Sequence, residues 1–310
     1  MPLSSTDENP GSIRIPGFLP PGVKGATVQL IETVAEVRAF GARTREAGKP
    51  LALVPTMGAL HDGHLSLIRA AAAEGADVVV SIFVNPAQFN DPADLAKYPR
   101  TLERDLELAA SAGAAAVFSP SVAEVYPGGF ATSIRVGGVS ERWEGASRGA
   151  SHFDGVALVV TKLLCMVGPD VAWFGQKDAQ QVAVIRRVAA DLNLPARIAT
   201  GATVRADSGL ALSSRNVRLR DEQNRTALAL SATLRAAKAA VEAGERDVAR
   251  LVSGATAALE EAGARVEYWA VVNPESFEPL ETVVPGEPAL AIIAARAGEV
   301  RLIDNAPLTD

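Results

Sequence analysis

From residue 51 to residue 200, short apolar runs alternate with longer stretches of helical composition. Residues 51–54 (LALV) are continuously apolar up to Pro55, which predicts a strand buried on both faces. Residues 64–74 (HLSLIRAAAAE) then predict a helix closed by Gly75. The order repeats: a strand over 77–84, a helix over 102–112, a strand over 115–118. An apolar helix over 156–167 follows, stopped by Gly168 and Pro169, then a strand over 171–174, a helix over 179–192 and a strand over 197–200. Strand–helix–strand repeats of this length predict an α/β domain with a mostly parallel sheet covered on both faces. The pattern changes near residue 203. Helices over 221–243 and 247–262, with two or three strands, two of them over 266–272 and 289–295, predict a smaller C-terminal α+β domain. The expected division is therefore a leader over 1–25, a first domain over 26–203 and a second over 204–310. The leader is rich in Pro, Gly and Ser and reads as disordered and dispensable.

Composition narrows the partners. The chain has 310 residues, 30 basic against 36 acidic, for a net charge of −6. That balance argues against a protein that coats nucleic acid, yet leaves room for a local pocket for a small anion. The best apolar run, 78–84, is far too short to span a bilayer and is flanked by Asp77 and Asn85. The N-terminus lacks the cationic start and apolar centre of a secretory signal. A single cysteine, Cys165, allows no internal disulfide and fits a reducing, cytoplasmic setting. Placed mid-helix among apolar residues, it reads as a packing residue.

The chemistry-bearing residues cluster where strands end, which is where open α/β sheets bind ligands. The first strand runs into Pro55-Thr56-Met57-Gly58-Ala59-Leu60-His61-Asp62-Gly63-His64. Its glycines permit a tight backbone path, and the helix that follows aims N–H groups and a favourable dipole at an anion. His61 and His64, one turn apart, can face one ligand. A protonated imidazole there would offset polyphosphate charge or give a proton to a leaving group. Two surface histidines at a capped helix start, or a metal pair, are the other readings of the same spacing. The next strand ends in Asn85 and Gln88, which bind hydroxyl or carboxylate groups without adding charge. A later one ends in Gly175-Gln176-Lys177-Asp178, followed by Gln180 and Gln181. Lys177 suits a phosphate, and Asp178 reads equally as a helix N-cap or a ligand contact. Val204 and the stretch Leu212-Ser213-Ser214-Arg215 add hydroxyls and a guanidinium near the domain junction, in a segment able to close over a site or to serve as a polar hinge.

Together these pieces resemble the pantothenate synthetase (pantoate–β-alanine ligase) family. The resemblance rests on VPTMGALHDGHLSLI (54–68), SIFVNPAQFN (81–90), YPRTLERDL (98–106), EGASRGASHFDGV (144–156), DVAWFGQKDAQQ (170–181) and GLALSSRN (209–216). It implies a Rossmann-like domain of the nucleotidyltransferase and class I synthetase type, a small C-terminal lid, and a homodimer. It implies ATP as co-substrate with Mg²⁺ held mainly by its phosphates, and pantoate and β-alanine as substrates. The reaction would pass through a pantoyl adenylate, releasing pyrophosphate and then AMP. The resemblance assigns ATP to Met57 through His64, to Gly175, Gln176, Lys177 and Asp178, and to Val204, Leu212, Ser213, Ser214 and Arg215. Within that set His64 is the proton donor, while His61, Lys177, Ser213, Ser214 and Arg215 act at the phosphates. Gln88 and Gln181 contact pantoate, and Asn85 and Arg148 complete the substrate set.

The chain departs from the family pattern in places. Leu212 replaces a frequent Met of similar volume, and Gln176 replaces a frequent Glu. Arg148-Gly149-Ala150-Ser151-His152 is one residue longer than the usual Arg-Pro-Gly-His, which changes the backbone beside Arg148. Two other readings fit a Rossmann-like protein with HxGH: an adenylate-forming enzyme for a different acid and amine, and a nucleotide binder without catalysis.

Overall fold

The computed structural model describes residues 28–89, 92–213, 216 and 219–309. The predicted leader lies outside them, as do Asn90, Ser214 and Arg215.

The first sheet holds β1 (Gln29–Ile31), β2 (Leu51–Thr56), β3 (Asp77–Ile82), β4 (Ala116–Phe118), β5 (Val171–Gly175) and β6 (Arg197–Gly201). Its spatial order is β1-β4-β3-β2-β5-β6, with every neighbour parallel. Around it run α1 (Val34–Glu46), α2 (Asp62–Ala73), α3 (Pro92–Ala96), α4 (Leu102–Ser111), α5 (Val122–Val125), α6 (Glu144–Arg148), α7 (Ala150–Val167) and α8 (Ala179–Asp191). Then come α9 (Asp221–Glu242), α10 (Val248–Glu261), β7 (Arg265–Val272), β8 (Leu290–Ala297) and β9 (Val300–Pro307). The last three strands form an antiparallel sheet in the order β7-β8-β9. The architecture is Rossmann-like α/β with an added antiparallel sheet.

The unbroken apolar runs have a simple cause. In β2, Leu51 and Leu53 join one hydrophobic cluster with α7 and α8, while Ala52 and Val54 join another with α2 and α4. Alternate side chains point to opposite faces, so a strand covered on both sides must be apolar at every position. Leu53 is fully buried; truncation to Ala would cost about 2–5 kcal/mol. The C-terminal sheet obeys the same rule. Trp269 and Val271 of β7 pack with α9 and α10, whereas Ala270 and Val272 pack into the first sheet's cluster.

Two expectations change. Helix α7 begins at Ala150, not at 156. Gly149 has φ 83° and ψ 154°, a conformation open mainly to glycine, and it separates α6 from α7. Cys165 is exposed rather than packed. The buried stripe of α7 uses Val156, Ala157, Val160, Leu163, Leu164 and Val167, and Cys165 falls on the opposite side.

Candidate active site

The strand order reverses between β2 and β5, so their carboxyl ends diverge and leave a crevice. A cavity of about 780 Å³ opens there. After β2 it is lined by Met57, His61, Gly63 and His64; after β3 by Asn85 and Gln88. Arg148 and His152 line it from the α6–α7 segment, and Gly175, Lys177, Asp178 and Gln181 from beyond β5. Val204, Leu212 and Ser213 close another side. Gly58, Ala59, Leu60, Asp62 and Gln176 stand off the cavity wall.

Those absences have a physical reason. The turn after β2 has its backbone donors engaged inside the protein. Gly58 N–H donates to Thr56 Oγ1 at 3.1 Å, and Ala59 and Leu60 N–H donate to the Asp105 carboxylate at 3.0 and 2.8 Å. The turn therefore presents side chains, not a row of open amides. Gln176 is drawn toward the C-terminal sheet, its Nε2 lying 3.4 Å from Asn305 Oδ1.

His61 caps α2, and the two histidines form a reciprocal pair. Gly63 N–H donates to His61 Nδ1 at 3.1 Å, and His61 N–H donates to His64 Nδ1 at 3.3 Å. An Nδ1 that accepts from a backbone amide cannot carry a proton, so each neutral ring bears its hydrogen on Nε2. Burial, then the neighbouring His61, pushes His64 down to about 3. Burial and the Lys177 charge also lower His61. The geometry and burial thus favour neutral rings over protonated imidazoles when no phosphate is bound. In the free protein both rings are neutral Nε2–H donors, and protonation would break the pair.

Asn85 is 1% exposed and fully engaged. Its Nδ2 donates to Gln88 Oε1 at 3.2 Å and Gly155 O at 3.1 Å; its Oδ1 accepts from Ala87 N–H and the Tyr126 hydroxyl. It orients Gln88 and has no hydrogen-bonding position left for a ligand. Gln88 Nε2 faces Met57 Sδ at 3.2 Å, a weak acceptor that a substrate oxygen can replace. His152 Nδ1 lies 3.2 Å from the Gln88 carbonyl oxygen, and burial followed by the Arg148 charge lowers its pKa to about 4. Gly155 lets α7 press on this turn, because a Cβ there would meet the Ala87 oxygen at 2.4 Å.

Asp178 holds the N-cap position of α8 but makes no side-chain capping bond. Lys177 sits on a turn gripped from the other sheet: Asn305 Nδ2 donates to the carbonyls of Gln176 and Lys177, both at 2.9 Å. Beside it Arg205 and Asp304 pair through 2.7 and 2.9 Å contacts.

Arg148 is tied to Glu144, Nε to Oε2 at 2.8 Å. Glu144 also accepts from Arg301 on β9 and from the Tyr268 hydroxyl on β7 at 2.9 Å. Burial would raise the Glu144 pKa, but the Arg301 hydrogen bonds and the Arg148 and Arg301 charges outweigh it and hold it at about 2. Glu144, Asp105, Tyr126 and His152 had no role in the sequence reading, although three lie within motif segments quoted for the resemblance. Thr203 is another: its hydroxyl is buried at the cavity wall without a hydrogen-bond partner among the described residues, and nothing in its sequence context marks it. Among those residues no group of three or more His, Cys, Asp or Glu could hold a metal ion, and no helix is long and apolar enough to cross a membrane.

A cavity at the switch point of a parallel sheet, walled in part by a second sheet, defines a ligand-binding Rossmann-like α/β protein. The family described as pantoate–β-alanine ligase matches residues 29–307. Pantothenate synthetase from Rhizorhabdus wittichii is 50% identical over 279 residues, covering 90% of this chain and 98% of that protein. The Moorella thermoacetica enzyme is 49% identical over 284 residues, covering 91% and 99%. The structure of the Thermus thermophilus synthetase superposes with a TM-score of 0.84 at 43% identity, covering 91% and 99%. The Francisella tularensis ligase, in complex with beta-gamma ATP and β-alanine, gives a TM-score of 0.73 at 32% identity, covering 91% and 98%. The chain belongs to the pantoate–β-alanine ligase family. Its activity is the ATP-dependent joining of pantoate to β-alanine to form pantothenate.

Proposed function

We propose that the reaction runs through a pantoyl adenylate made and consumed in the cavity between β2 and β5. The observation that carries this reading is the convergence of the His61–His64 pair, Lys177 and Gln88 on that one cavity. A carboxylate is a poor electrophile, so an amide can form only after the carboxylate gains a leaving group. A pantoate carboxylate oxygen attacks the α-phosphorus of ATP, and the bond to pyrophosphate breaks. The β-alanine amine then attacks the acyl carbon, the bond to AMP breaks, and the amine loses a proton.

The residues divide this work. His61 and His64 donate hydrogen bonds from Nε2 to phosphate oxygens as neutral rings. Lys177 supplies the positive charge, with Ser213, Ser214 and Arg215 joining it on the phosphates; the last two lie outside the described residues. Electrostatic stabilisation of the departing pyrophosphate is the main catalytic effect. Gln88 and Gln181 hold pantoate, and Asn85 acts through Gln88. Arg148 faces the same end while anchored to Glu144. The Francisella ligase was crystallised with beta-gamma ATP and β-alanine, which supports both as ligands of a chain with this fold.

Mg²⁺ enters with ATP. Asp178, exposed on the cavity wall and free of a capping role, suits a cation held chiefly by phosphate oxygens, where it would offset their charge. The reading also includes a homodimer and a lid beginning near residue 204.

The test is pyrophosphate release from the purified protein with ATP and Mg²⁺. Pantoate alone is expected to give one turnover's worth of release, and added β-alanine to make it continuous. Release that needs no pantoate, or continuous turnover in excess EDTA, would contradict the adenylate or the metal assignment respectively. ATP binding without any release would favour a non-catalytic nucleotide binder.

A further inference from the structure

The segment YPRTLERDL contributes Asp105, a carboxylate that is 1% exposed, does not line the cavity and has no assigned task. It sits in the first turn of α4, where the helix dipole favours an anion. Oδ2 accepts from Ala59 N–H at 3.0 Å and from the Thr101 hydroxyl at 3.1 Å, while Oδ1 accepts from Leu60 N–H at 2.8 Å. Two successive amides thus meet the two oxygens of one carboxylate.

The turn so held is an unfavourable one. Gly58 has φ 83° and Ala59 has φ 51°, so two consecutive residues are left-handed and the second carries a Cβ. An alanine there persists only when its surroundings fix it. The next residue after Leu60 is His61, whose N–H must point at His64 Nδ1 for the pair to form.

We infer that Asp105 is a positioning residue for adenylation, holding the Gly58–Leu60 turn in the shape that lets His61 and His64 pair as Nε2–H donors. The task needs a side chain whose two oxygens both accept. An asparagine amide would offer one acceptor and turn its NH₂ toward the other backbone N–H. The inference rests on the placement of the histidine pair at the ATP phosphates.

The test uses the full chain with Asp105→Asn, Thr101→Val, and Asp105→Asn combined with Ala59→Gly. Pantoate-dependent pyrophosphate release in the presence of β-alanine gives kcat and KM, and NMR follows the Cε1–H signals of His61 and His64. Asp105→Asn is expected to lower kcat about 100-fold, the cost of a small misplacement of catalytic groups. The pantoate KM should stay within about twofold, since Gln88 is untouched. Both histidine signals should shift. Ala59→Gly removes the Cβ from the left-handed position and should restore about tenfold of the lost rate and part of the shift. A general loss of core packing would not be rescued by a glycine in a turn. If Asp105→Asn does not fold, Thr101→Val, which deletes one of three bonds, should still cost about threefold in kcat and move the same signals. Wild-type kcat in the variant that folds overturns the inference, as does a loss with unmoved histidine signals. His64→Ala separates the two claims. If it is active, the phosphate reading fails; if it is inactive while Asp105→Asn is unimpaired, only the positioning role fails.

Discussion

The two sides of the cavity are built differently. The β2 side is held by side chains that accept from its backbone: Thr56, His61 and His64 from within the turn and helix start, and Asp105 from α4, take the amides of residues 58–61 and 63. The C-terminal sheet reaches the cavity through side chains, namely Arg301 and Tyr268 on Glu144, Asn305 on the Lys177 turn, and Asp304 on Arg205. The first arrangement is mostly local, with one carboxylate, Asp105, brought in from 45 residues away. The second depends on charges up to 157 residues apart in sequence. The chemistry is therefore set on a rigid side, and the covering side is attached by contacts that respond to pH and to single substitutions.

The largest expected effect lies on the rigid side. We predict that His64→Ala lowers pantoate-dependent pyrophosphate release about 100- to 1,000-fold, the usual cost of deleting a donor to a developing charge. Thermal unfolding should stay cooperative. His64→Gln, which keeps an N–H donor but cannot carry a proton, should retain more activity than Ala. Equal loss in both would mean that proton transfer, and not hydrogen bonding, is the task of the ring. Because His64 stays neutral down to about 3, kcat/KM for the free enzyme should show no acid limb near 6.5 from this residue.

The covering side gives the next effect. We predict that Glu144→Gln destabilises the protein by about 3 kcal/mol, because it leaves the Arg148 and Arg301 cations facing an amide in a largely buried setting. Denaturant unfolding measures this, and a loss below 1 kcal/mol would mean the contacts are interchangeable with water. Acid should act the same way. Glu144 falls from 4.5 to about 2 on folding, so its contribution is complete above 4.5 and is lost as pH drops toward 2. His64 reinforces the trend: the unfolded chain binds its proton near 6.5 and the folded one only near 3, so stability declines across that window. Glu144→Gln should flatten the lower part of this profile and leave the part above pH 4.5 unchanged.

The same contrast explains what the sequence could reveal. Strands β2, β3 and β5 were legible because burial on both faces leaves no polar position, and the loops after them because their residue types are chemically distinctive. Helix α1 carries a quieter signal: Thr33 and Glu36 form a capping box, and Val37, Phe40, Gly41 and Thr44 make its buried stripe. A third C-terminal strand, β9, cannot be located from the sequence because Arg301, Asp304 and Asn305 interrupt its apolar residues, each satisfied by a partner far away in sequence. Asp105 reads as an ordinary acid in a helix's first turn until the fold brings Ala59 and Leu60 to it. Asn85 reads as a ligand contact until Tyr126 and Gly155 are seen to fill its remaining bonds. Residue type predicts chemistry; only tertiary geometry tells whether a polar group faces the ligand or another residue.

Gln88 tests the boundary between the two sides at moderate cost. We predict that Gln88→Ala raises the pantoate KM about tenfold, the value of one or two neutral hydrogen bonds, while the ATP KM stays within about twofold. Asn85→Ala should mimic it more weakly in KM, since it only lets the Gln88 amide rotate, but should cost more stability because Tyr126 and the Gly155 carbonyl lose a buried partner. The reverse ranking would place Asn85 on the substrate.

The smallest effect should come from Asn305→Ala. It removes two donors from the carbonyls of Gln176 and Lys177, which can turn to water at the cavity edge, so the stability cost should be near 1 kcal/mol. The kinetic effect is more informative. If the C-terminal sheet serves only as cover, kcat and the ATP KM both stay within about twofold of wild type. If it also aims Lys177, the ATP KM rises about fivefold with the pantoate KM unchanged, because a lysine on a loosened turn is a less well placed counter-charge. The second outcome is expected, since Asn305 grips the backbone of Lys177 itself. It would show that the two sides, built by different means, meet at one residue of the catalytic set.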